Sequence, residues 1–267
     1  MSALVLELKQ RPEQRLDLSP LVPARLAGLK TKEIAALEIG TTRAKLTVGD
    51  AFKFKGADPA KLRFVGTDDR CDKIGADLAG GEIVVEGDAG AYLGAGMMNG
   101  AIDVAGNTGV LAAASMLGGR IAVEGNVDER AGGVLVGDTM GMKGGFLRIG
   151  GNAGPLIGER MRRGLVVVEG DAGDYAGGRM IAGTILFRRG VGRYAGYGLC
   201  RGSLIFAKEP KHVLATFGDC GVLEFDYLQV LERWLRTTGC RIDLGGRARR
   251  LMGDMAVLGK GEMLILA

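Results

Sequence analysis

This sequence has a single histidine and no closely spaced pair of cysteines. His212 is the single histidine, so a metal site with several histidine ligands cannot form, and we expect a structural or surface role for it. The cysteines lie far apart without a Cys-x-x-Cys pair, at Cys71, Cys200, Cys220 and Cys240. Disulfide frameworks and zinc or iron–sulfur sites need closer ligand sets, so we expect reduced thiols and no metal or cofactor bound by this chain.

Long apolar runs and a strong charge of one sign are also lacking. The longest largely apolar run, 110–117, is far too short to cross a bilayer. The first residues contain neither the basic region nor the long apolar region of a signal peptide. A formal net charge of +4 is too small to indicate nucleic-acid binding. We therefore expect a cytoplasmic protein with neither a nucleic-acid nor a membrane partner.

Glycine is abundant where aromatic residues are few. The chain has 47 glycines, while aromatic residues make up 5% of it. Isoleucine, valine, leucine and methionine are plentiful between the glycines, unlike in a flexible glycine-rich chain. This composition indicates an aliphatic core on a backbone that turns at glycine corners.

The glycines recur with a fixed period. A spacing of 19 residues separates Gly81 from Gly100 and Gly100 from Gly119, and the same spacing recurs from Gly145 to Gly202. The interval between Gly119 and Gly145 is 26 residues, which predicts a seven-residue insertion around 132–143. Six coils thus cover 81–202, after a degenerate coil at 62–80.

Each coil repeats one internal pattern. Two alternating apolar residues come first, then glycine followed by aspartate or asparagine, and the fullest copies continue as G-x-x-G-x-x-x-G. The predicted structural glycines are Gly87, Gly90, Gly94, Gly151, Gly154, Gly158, Gly170, Gly173 and Gly177. We expect Asn107, Asn126 and Asn152 to form a polar ladder whose side chains bond backbone N–H groups at one corner.

Alternation with period two is strand periodicity, and a 19-residue unit cannot bury its apolar side without stacking on neighbours. The predicted fold class is all-β dominated: a right-handed parallel β-helix of about 19-residue glycine-rich coils, with a small α/β N-terminal cap and a C-terminal helix/strand extension. A left-handed helix of hexapeptide repeats needs a period that is a multiple of six, and helical repeats would not tolerate so much interior glycine. The expected segments are the cap at 1–61, the β-helix at 62–207 and a capping or docking extension at 208–267.

Both ends of a β-helix need protection, and local patterns predict how they obtain it. Residues 3–8 suit a strand, and Thr31 is expected to N-cap a short helix that runs to Leu37. Apolar residues at helical spacing predict a helix over 225–235, covering the far end of the coils or meeting a partner.

Charge is polarised along the coils. Residues 81–147 carry three basic and eight acidic side chains, whereas 148–203 carry nine basic residues, all arginine, and four acidic ones. A solvated, salt-paired face is one interpretation. The other is a docking surface for an acidic subunit or a polyanionic ligand. The candidate residues are Arg160, Arg162, Arg163, Arg179 and Arg201, with Arg188, Arg189 and Arg193 nearby.

No combination of residues predicts catalysis. The sequence Gly-Val-Gly-Arg-Tyr-Ala at 190–195 matches the dinucleotide-binding pattern G-x-G-x-x-A. Such a site requires a helix after the glycines, and Gly196, Gly198 and Gly202 make that helix implausible. We therefore assign no catalytic residues to this chain.

The repeats resemble the β-helical C-terminal domain of glutamate synthase. They are more similar to the C subunit of formylmethanofuran dehydrogenase and to its bacterial counterpart in the formyltransferase/hydrolase complex. The stretches that carry this resemblance are 16–20, 90–100, 158–177 (beginning Gly-Glu-Arg-Met-Arg-Arg-Gly) and 179–185. The resemblance implies a non-catalytic scaffold subunit, with a formyltransferase subunit, an amidohydrolase-like hydrolase subunit and a further subunit as partners.

The resemblance also implies the chemistry of the complex. The bacterial complex moves a formyl group from formyl-tetrahydromethanopterin to methylofuran and releases formate. The archaeal dehydrogenase reduces CO2 with tungsten or molybdenum pterin and iron–sulfur subunits, and uses methanofuran. Arginine outnumbers lysine by 23 to 12, which favours a bacterial source and hence the first complex. The C subunit of a dehydrogenase and a glutamate-synthase-like bridging β-helix remain the alternatives. Because such carriers have glutamate-rich tails, the arginine-rich coils are candidates for guiding a tail between two active sites.

Overall fold

The computed structural model describes residues 2–267, and strands dominate it. The strands are β1 (Ala3–Leu8), β2 (Leu16–Asp17), β3 (Phe52–Lys55), β4 (Asp58–Val65), β5 (Cys71–Asp72), β6 (Glu82–Glu86), β7 (Ala101–Val104), β8 (Arg120–Val123), β9 (Lys143–Ile149), β10 (Arg163–Val168), β11 (Thr184–Phe187), β12 (Arg201–Phe206), β13 (Gly218–Glu224), β14 (Arg247–Gly253) and β15 (Lys260–Leu266). The helices are α1 (Pro23–Leu26), α2 (Thr31–Ala35), α3 (Val48–Ala51) and α4 (Asp226–Thr237).

Thirteen of these strands form one long, mostly parallel sheet. Its order is β13-β14-β15-β12-β11-β10-β9-β8-β7-β6-β4-β1-β3. All neighbours from β1 to β15 along this order are parallel, and the antiparallel strands β3, β14 and β13 lie outside them. Strands β2 and β5 form a separate parallel pair. This architecture is consistent with a β-helix.

The strand register follows the period of the sequence. Ile83 lies opposite Ile102, and Ile102 lies opposite Ile121. The next partner of Ile121 is Leu147, so the longer interval of 26 residues leaves the alignment of the strands intact. The alternating apolar residues of all six coils are at most 1% exposed and belong to one continuous core. Side chains of the same kind are therefore aligned from strand to strand on the buried face of the sheet.

A second, thinner ladder runs beside the glycine-Asp/Asn corners. Single parallel bridges connect Ala89, Thr108, Val127, Ala153, Ala172 and Val191 in succession. At the adjacent corner, a side-chain Oδ1 accepts the backbone N–H of the corresponding residue one coil later, over 2.7–2.9 Å. The acceptors are Asp88, Asn107, Asn126, Asn152 and Asp171. Each coil is thus tied to the next by a side chain as well as by the sheet.

The nine predicted structural glycines lie where an added side chain would meet a neighbouring atom. At each of them, a Cβ atom would come closer than 3.0 Å to another atom. For Gly173 that atom is the backbone nitrogen of Pro155, at 2.7 Å. For Gly177 it is a methyl carbon of Leu204, also at 2.7 Å, and Gly177 has a left-handed φ of +66° as well. These glycines permit the close approach of successive coils.

At a neighbouring corner position, residues other than glycine adopt the left-handed backbone conformation. One residue per coil has a φ between +57° and +63°, and the set is Lys73, Tyr92, Leu111, Arg130, Leu156, Tyr175 and Tyr194. Its members are spaced by the coil period, so they form a ladder along the molecule, which we call the left-handed ladder.

The N-terminal segment adds directly to the sheet. Strand β1 has the bounds predicted from the sequence and pairs with β4. Strand β3 then forms the sheet edge, where Lys53 and Lys55 are exposed. The predicted cap at Thr31 is wrong: α2 begins at Thr31 itself and ends at Ala35, and the N-cap is Lys30. The backbone N–H of Lys30 donates to the Glu33 carboxylate at 2.6 Å, which fixes the helix start one residue earlier.

The C-terminal segment continues the stack and also covers its side. Strand β15 pairs with β12 as the next parallel neighbour. Helix α4, predicted over 225–235, packs on the outer face of the strands and does not cover the far end. Its buried Leu228 and Leu235 share an apolar cluster with Leu165, Val167 and other outward side chains of β9 to β12. No helix within residues 2–267 has the length and apolar character needed to span a bilayer.

Candidate functional site

The arginines of the basic region separate into three groups. Arg162, Arg163 and Arg201 together line an open groove of about 400 Å³, with Ile181 and Ala182 between them. Arg160 and Arg179 occupy matching positions at the glycine corners, both with a φ of 52°. Arg188 lies beyond the end of β11 and bonds to an acidic neighbour. The structure thus unites three of the five candidate residues and places the other two elsewhere.

Two lysines extend the first group. The strand register places Arg163 opposite Lys143, and Arg201 opposite Lys260. We call Lys143, Arg162, Arg163, Arg201 and Lys260 the basic stripe. Four steps between neighbouring strands separate β9 from β15, which corresponds to a length of about 19 Å.

The charges of the basic stripe are largely uncompensated. Lys143 lies 3.7 Å from Asp138. Within residues 2–267, Arg162, Arg163, Arg201 and Lys260 form no ion pair. Because arginine binds carboxylates through two parallel hydrogen bonds, this row of free cations suits a chain of carboxylates. Lys260 lies outside the periodic region and could not be aligned from sequence, whereas Lys143 could have been noticed as the residue that starts its strand.

The Arg188 group has the opposite character, because its charges are paired. Arg148 donates to Glu124 and Glu169, each at 2.7 Å, and Arg188 donates to Glu169 at 2.9 Å. Burial works against the charge of Arg148, but the hydrogen bonds that Arg148 donates to Glu124 and Glu169 outweigh it and raise its pKa. The solvated, salt-paired face that the sequence left open as an alternative describes these two arginines.

A second concavity lies at the glycine corners, around the left-handed ladder. It has a volume of about 530 Å³. We call this concavity the tyrosine pocket. The main side chains that line it are Arg130, Glu159, Tyr175, Arg179, Tyr194 and Tyr197. Glu159 bridges the two arginines, at 3.9 Å from Arg130 and 3.8 Å from Arg179. This site was not predicted from the sequence, although the 19-residue spacing of Tyr175 and Tyr194 was a signal for it.

The thiols and the histidine do not converge on either concavity. Burial raises the pKa of Cys71 to about 12, and burial also raises the pKa of Cys240. His212 is exposed beside Arg193 and Tyr194 in a shallow depression. Over residues 2–267, no three histidine, cysteine, aspartate or glutamate side chains are grouped as metal ligands would be.

Comparison with known proteins identifies the family. No protein-family model matches the chain. The C subunit of the formyltransferase/hydrolase complex Fhc of Methylorubrum extorquens is 40% identical over 85 residues, a segment that spans 32% of this chain and 32% of that relative. The X-ray crystal structure of the formyltransferase/hydrolase complex from Methylorubrum extorquens in complex with methylofuran contains a chain with 39% identity and a TM-score of 0.92. That match covers 98% of this chain and 99% of the other, so the chain belongs to the family of the C subunits of formyltransferase/hydrolase complexes.

Proposed function

We propose that this chain is the non-catalytic scaffold subunit of a formyltransferase/hydrolase complex. The complex moves a formyl group from formyl-tetrahydromethanopterin to methylofuran and releases formate. The observation that carries this proposal is the nearly full-length match, at a TM-score of 0.92, to a chain of that complex. The partners are a formyltransferase subunit, an amidohydrolase-like hydrolase subunit and a further subunit.

We propose a right-handed β-helix as the basis of this scaffold role. The right-handed sense rests on the strong preference of parallel strand–crossover–strand connections for that hand. The proposed segments are the cap at 1–61, the coils at 62–207 and the docking extension at 208–267. Such a stack is held by a continuous buried core and has little freedom to deform, so it suits the fixed placement of other subunits.

Purification of the native complex tests the scaffold role. We expect the chain to co-purify with formyltransferase and hydrolase subunits and to have no turnover in isolation. Partners with tungsten or molybdenum pterin would favour the dehydrogenase, and glutaminase-type partners would favour the glutamate-synthase-like alternative. Formyl transfer or hydrolysis by the isolated chain would contradict the proposal.

Within this function, we propose that the basic stripe guides the glutamate-rich tail of the carrier between two active sites. The stripe offers a row of cations about 19 Å long, of which all but Lys143 lack an ion-pair partner, and an extended tail presents carboxylates at intervals that such a row can follow. Because the groove is open to solvent, the tail can slide along it without the loss of a deeply buried ion pair.

The variant Arg162→Ala/Arg163→Ala/Arg201→Ala tests this guidance in the assembled complex. Removal of three cations is expected to slow formyl transfer with the long-tailed carrier about tenfold or more, while the set of bound subunits stays that of the wild type. The control is Arg43→Ala/Arg233→Ala/Arg247→Ala, which removes three exposed arginines away from the stripe. Unchanged turnover in the first variant would show that the tail is not guided here.

A further inference from the structure

The tyrosine pocket shares no lining residue with the basic stripe and has no part in the function proposed above. Three of the five tyrosines of the chain converge on it. Tyr175 and Tyr194 belong to the left-handed ladder, with φ values of 57° and 61°. Left-handed backbone costs a non-glycine residue about 1–2 kcal/mol, yet the chain keeps large aromatic residues at both positions.

The aromatic side chains form a preorganised wall. The rings of Tyr175 and Tyr194 stack with centroids 4.9 Å apart and an interplanar angle of 22°. Tyr197 stands perpendicular to Tyr175, with a centroid distance of 6.0 Å. All three remain more than a third exposed, at 37%, 43% and 46%. This wall therefore offers rigid apolar faces to whatever occupies the pocket.

The charged side chains of the pocket have a surplus of hydrogen-bond donors. Glu159 lies 3.8–3.9 Å from Arg130 and Arg179, which is close enough for charge attraction but too long for hydrogen bonds. Within residues 2–267, neither guanidinium donates a hydrogen bond, and the three tyrosine hydroxyls also lack protein partners. One carboxylate thus lies near two guanidinium groups whose N–H donors have no acceptor in the protein. The pocket is therefore complementary to a further carboxylate.

We propose that the tyrosine pocket docks an extended segment of a partner subunit. The segment places an Asp or Glu carboxylate between Arg130 and Arg179, and lays an adjacent proline or aromatic ring against Tyr175 and Tyr194. Open walls rich in tyrosine and arginine are the composition of protein-interface hot spots, whereas small-molecule sites enclose most of their ligand. This inference rests on the proposed function only in requiring that the chain works beside protein partners.

The charges in the pocket predict that removal of one negative charge strengthens the docking of the partner segment. Because Glu159 competes with the incoming carboxylate for the two arginines, Glu159→Gln is expected to slow dissociation of the chain from the assembled complex about threefold. Arg179→Glu and Tyr194→Ala are each expected to accelerate it about 30-fold or more, as the loss of a hot-spot residue does. The control is Tyr92→Ala, at the same ladder position outside the pocket, which should leave the rate unchanged. Exchange of isotope-labelled chain into the complex, followed by native mass spectrometry, measures all four rates.

Photo-crosslinking identifies the occupant. With p-benzoylphenylalanine in place of Tyr194, illumination of the assembled complex is expected to link the chain to a partner peptide with a carboxylate beside a proline or aromatic residue. The same group in place of Tyr92 serves as the control.

The possible results separate this inference from the proposed function. An assembled complex without a Tyr194 crosslink, a crosslinked peptide without a carboxylate, or faster dissociation of Glu159→Gln would each overturn the docking site. A crosslink from Tyr194 into a protein other than a formyltransferase, hydrolase or accompanying subunit would support the pocket and contradict the proposed function. Purification of the wild-type chain without any partner would contradict both.

Discussion

At the scale of single residues, short polar side chains fasten neighbouring coils to one another. Asn126 is in the middle of the corner ladder: its backbone N–H donates to Asn107, and its Oδ1 accepts from the N–H of Asn152 at 2.8 Å. The side chain replaces a backbone partner that the corner geometry does not supply. Because a backbone group without a partner is costly, each rung of this ladder contributes to the stability of the stack.

Asn126→Ala is therefore expected to destabilise the protein by about 1 kcal/mol, through the lost acceptor for the Asn152 N–H. For a chain of this size, that corresponds to a fall of about 2–4 °C in Tm, measured by circular dichroism. Asn99→Ala is the matched control, since Asn99 is exposed and outside the ladder. Equal Tm values for the two variants would contradict a stabilising role for the ladder.

At the scale of the elements, helix α4 shows how an aperiodic segment becomes part of a periodic fold. Strand β10 buries Leu165 and Val167 outward as well as Val166 and Val168 inward. Those outward side chains need cover, and α4 supplies it with Leu228 and Leu235. The helix thus replaces solvent on the outside of the strands and leaves the ends of the stack to other elements.

The α4 interface predicts that two truncations of aliphatic side chains on one helix have unequal effects. Leu235 is fully buried, so Leu235→Ala is expected to cost about 2–5 kcal/mol and to raise amide hydrogen exchange throughout α4. Val230 is 63% exposed, so Val230→Ala should change stability by about 0.5 kcal/mol or less. Hydrogen-exchange mass spectrometry of both variants makes the comparison, and similar exchange in the two would show that α4 does not depend on this contact.

The sequence predicted the existence of α4 but not its place. Apolar spacing reports which side of a helix is buried, and it does not report what buries it. A signal was present in β10, where four consecutive apolar residues, 165–168, indicate a strand buried on both faces. The grouping of Arg163 with Arg201 followed from the period, whereas Lys260 joins them through a strand that lies outside the period.

At the scale of the whole molecule, the period itself is the property that assembles the fold. Each parallel strand in this region pairs with the strands one repeat before and one repeat after it, so a complete 19-residue repeat can be removed if the register of its neighbours is kept. The coil at 101–119 is suitable, because α4 covers strands further along the stack. Its removal would bring Ile121 opposite Ile83, a pair equivalent to the ones already present.

Deletion of 101–119 is therefore expected to give a folded, shorter protein that unfolds cooperatively, as measured by circular dichroism on heating. Deletion of 101–118 removes one residue less, and this shift turns the following apolar side chains toward the outside of the strand. We expect that second variant to aggregate or to lose its sheet signal. Equal folding of the two proteins would contradict a stack held by vertical register.

The periodic part of the fold was predictable because one pattern, repeated six times, leaves few arrangements that bury every copy. The ends were not, because each is formed by residues that occur only once. Strand β15 joins β12 after an interval of more than fifty residues, and nothing in the spacing of Arg201 and Lys260 indicates that pairing. The left-handed ladder was equally hidden, since Tyr175 and Arg130 lack the glycine that usually marks such backbone.

The two edges of the long sheet differ, and each has a feature that disfavours the addition of strands from another molecule. One ends in β3, whose Lys53 and Lys55 face solvent, and the other ends in β13, which runs antiparallel to its neighbour and is interrupted by an irregularity between Asp219 and Val222. The lysines disfavour pairing of the first edge with a second molecule, and the irregularity interrupts the row of backbone groups at the other edge. Although its strands pair in register like those of a fibril, we therefore expect the sheet to end at these edges and not to add strands from other molecules.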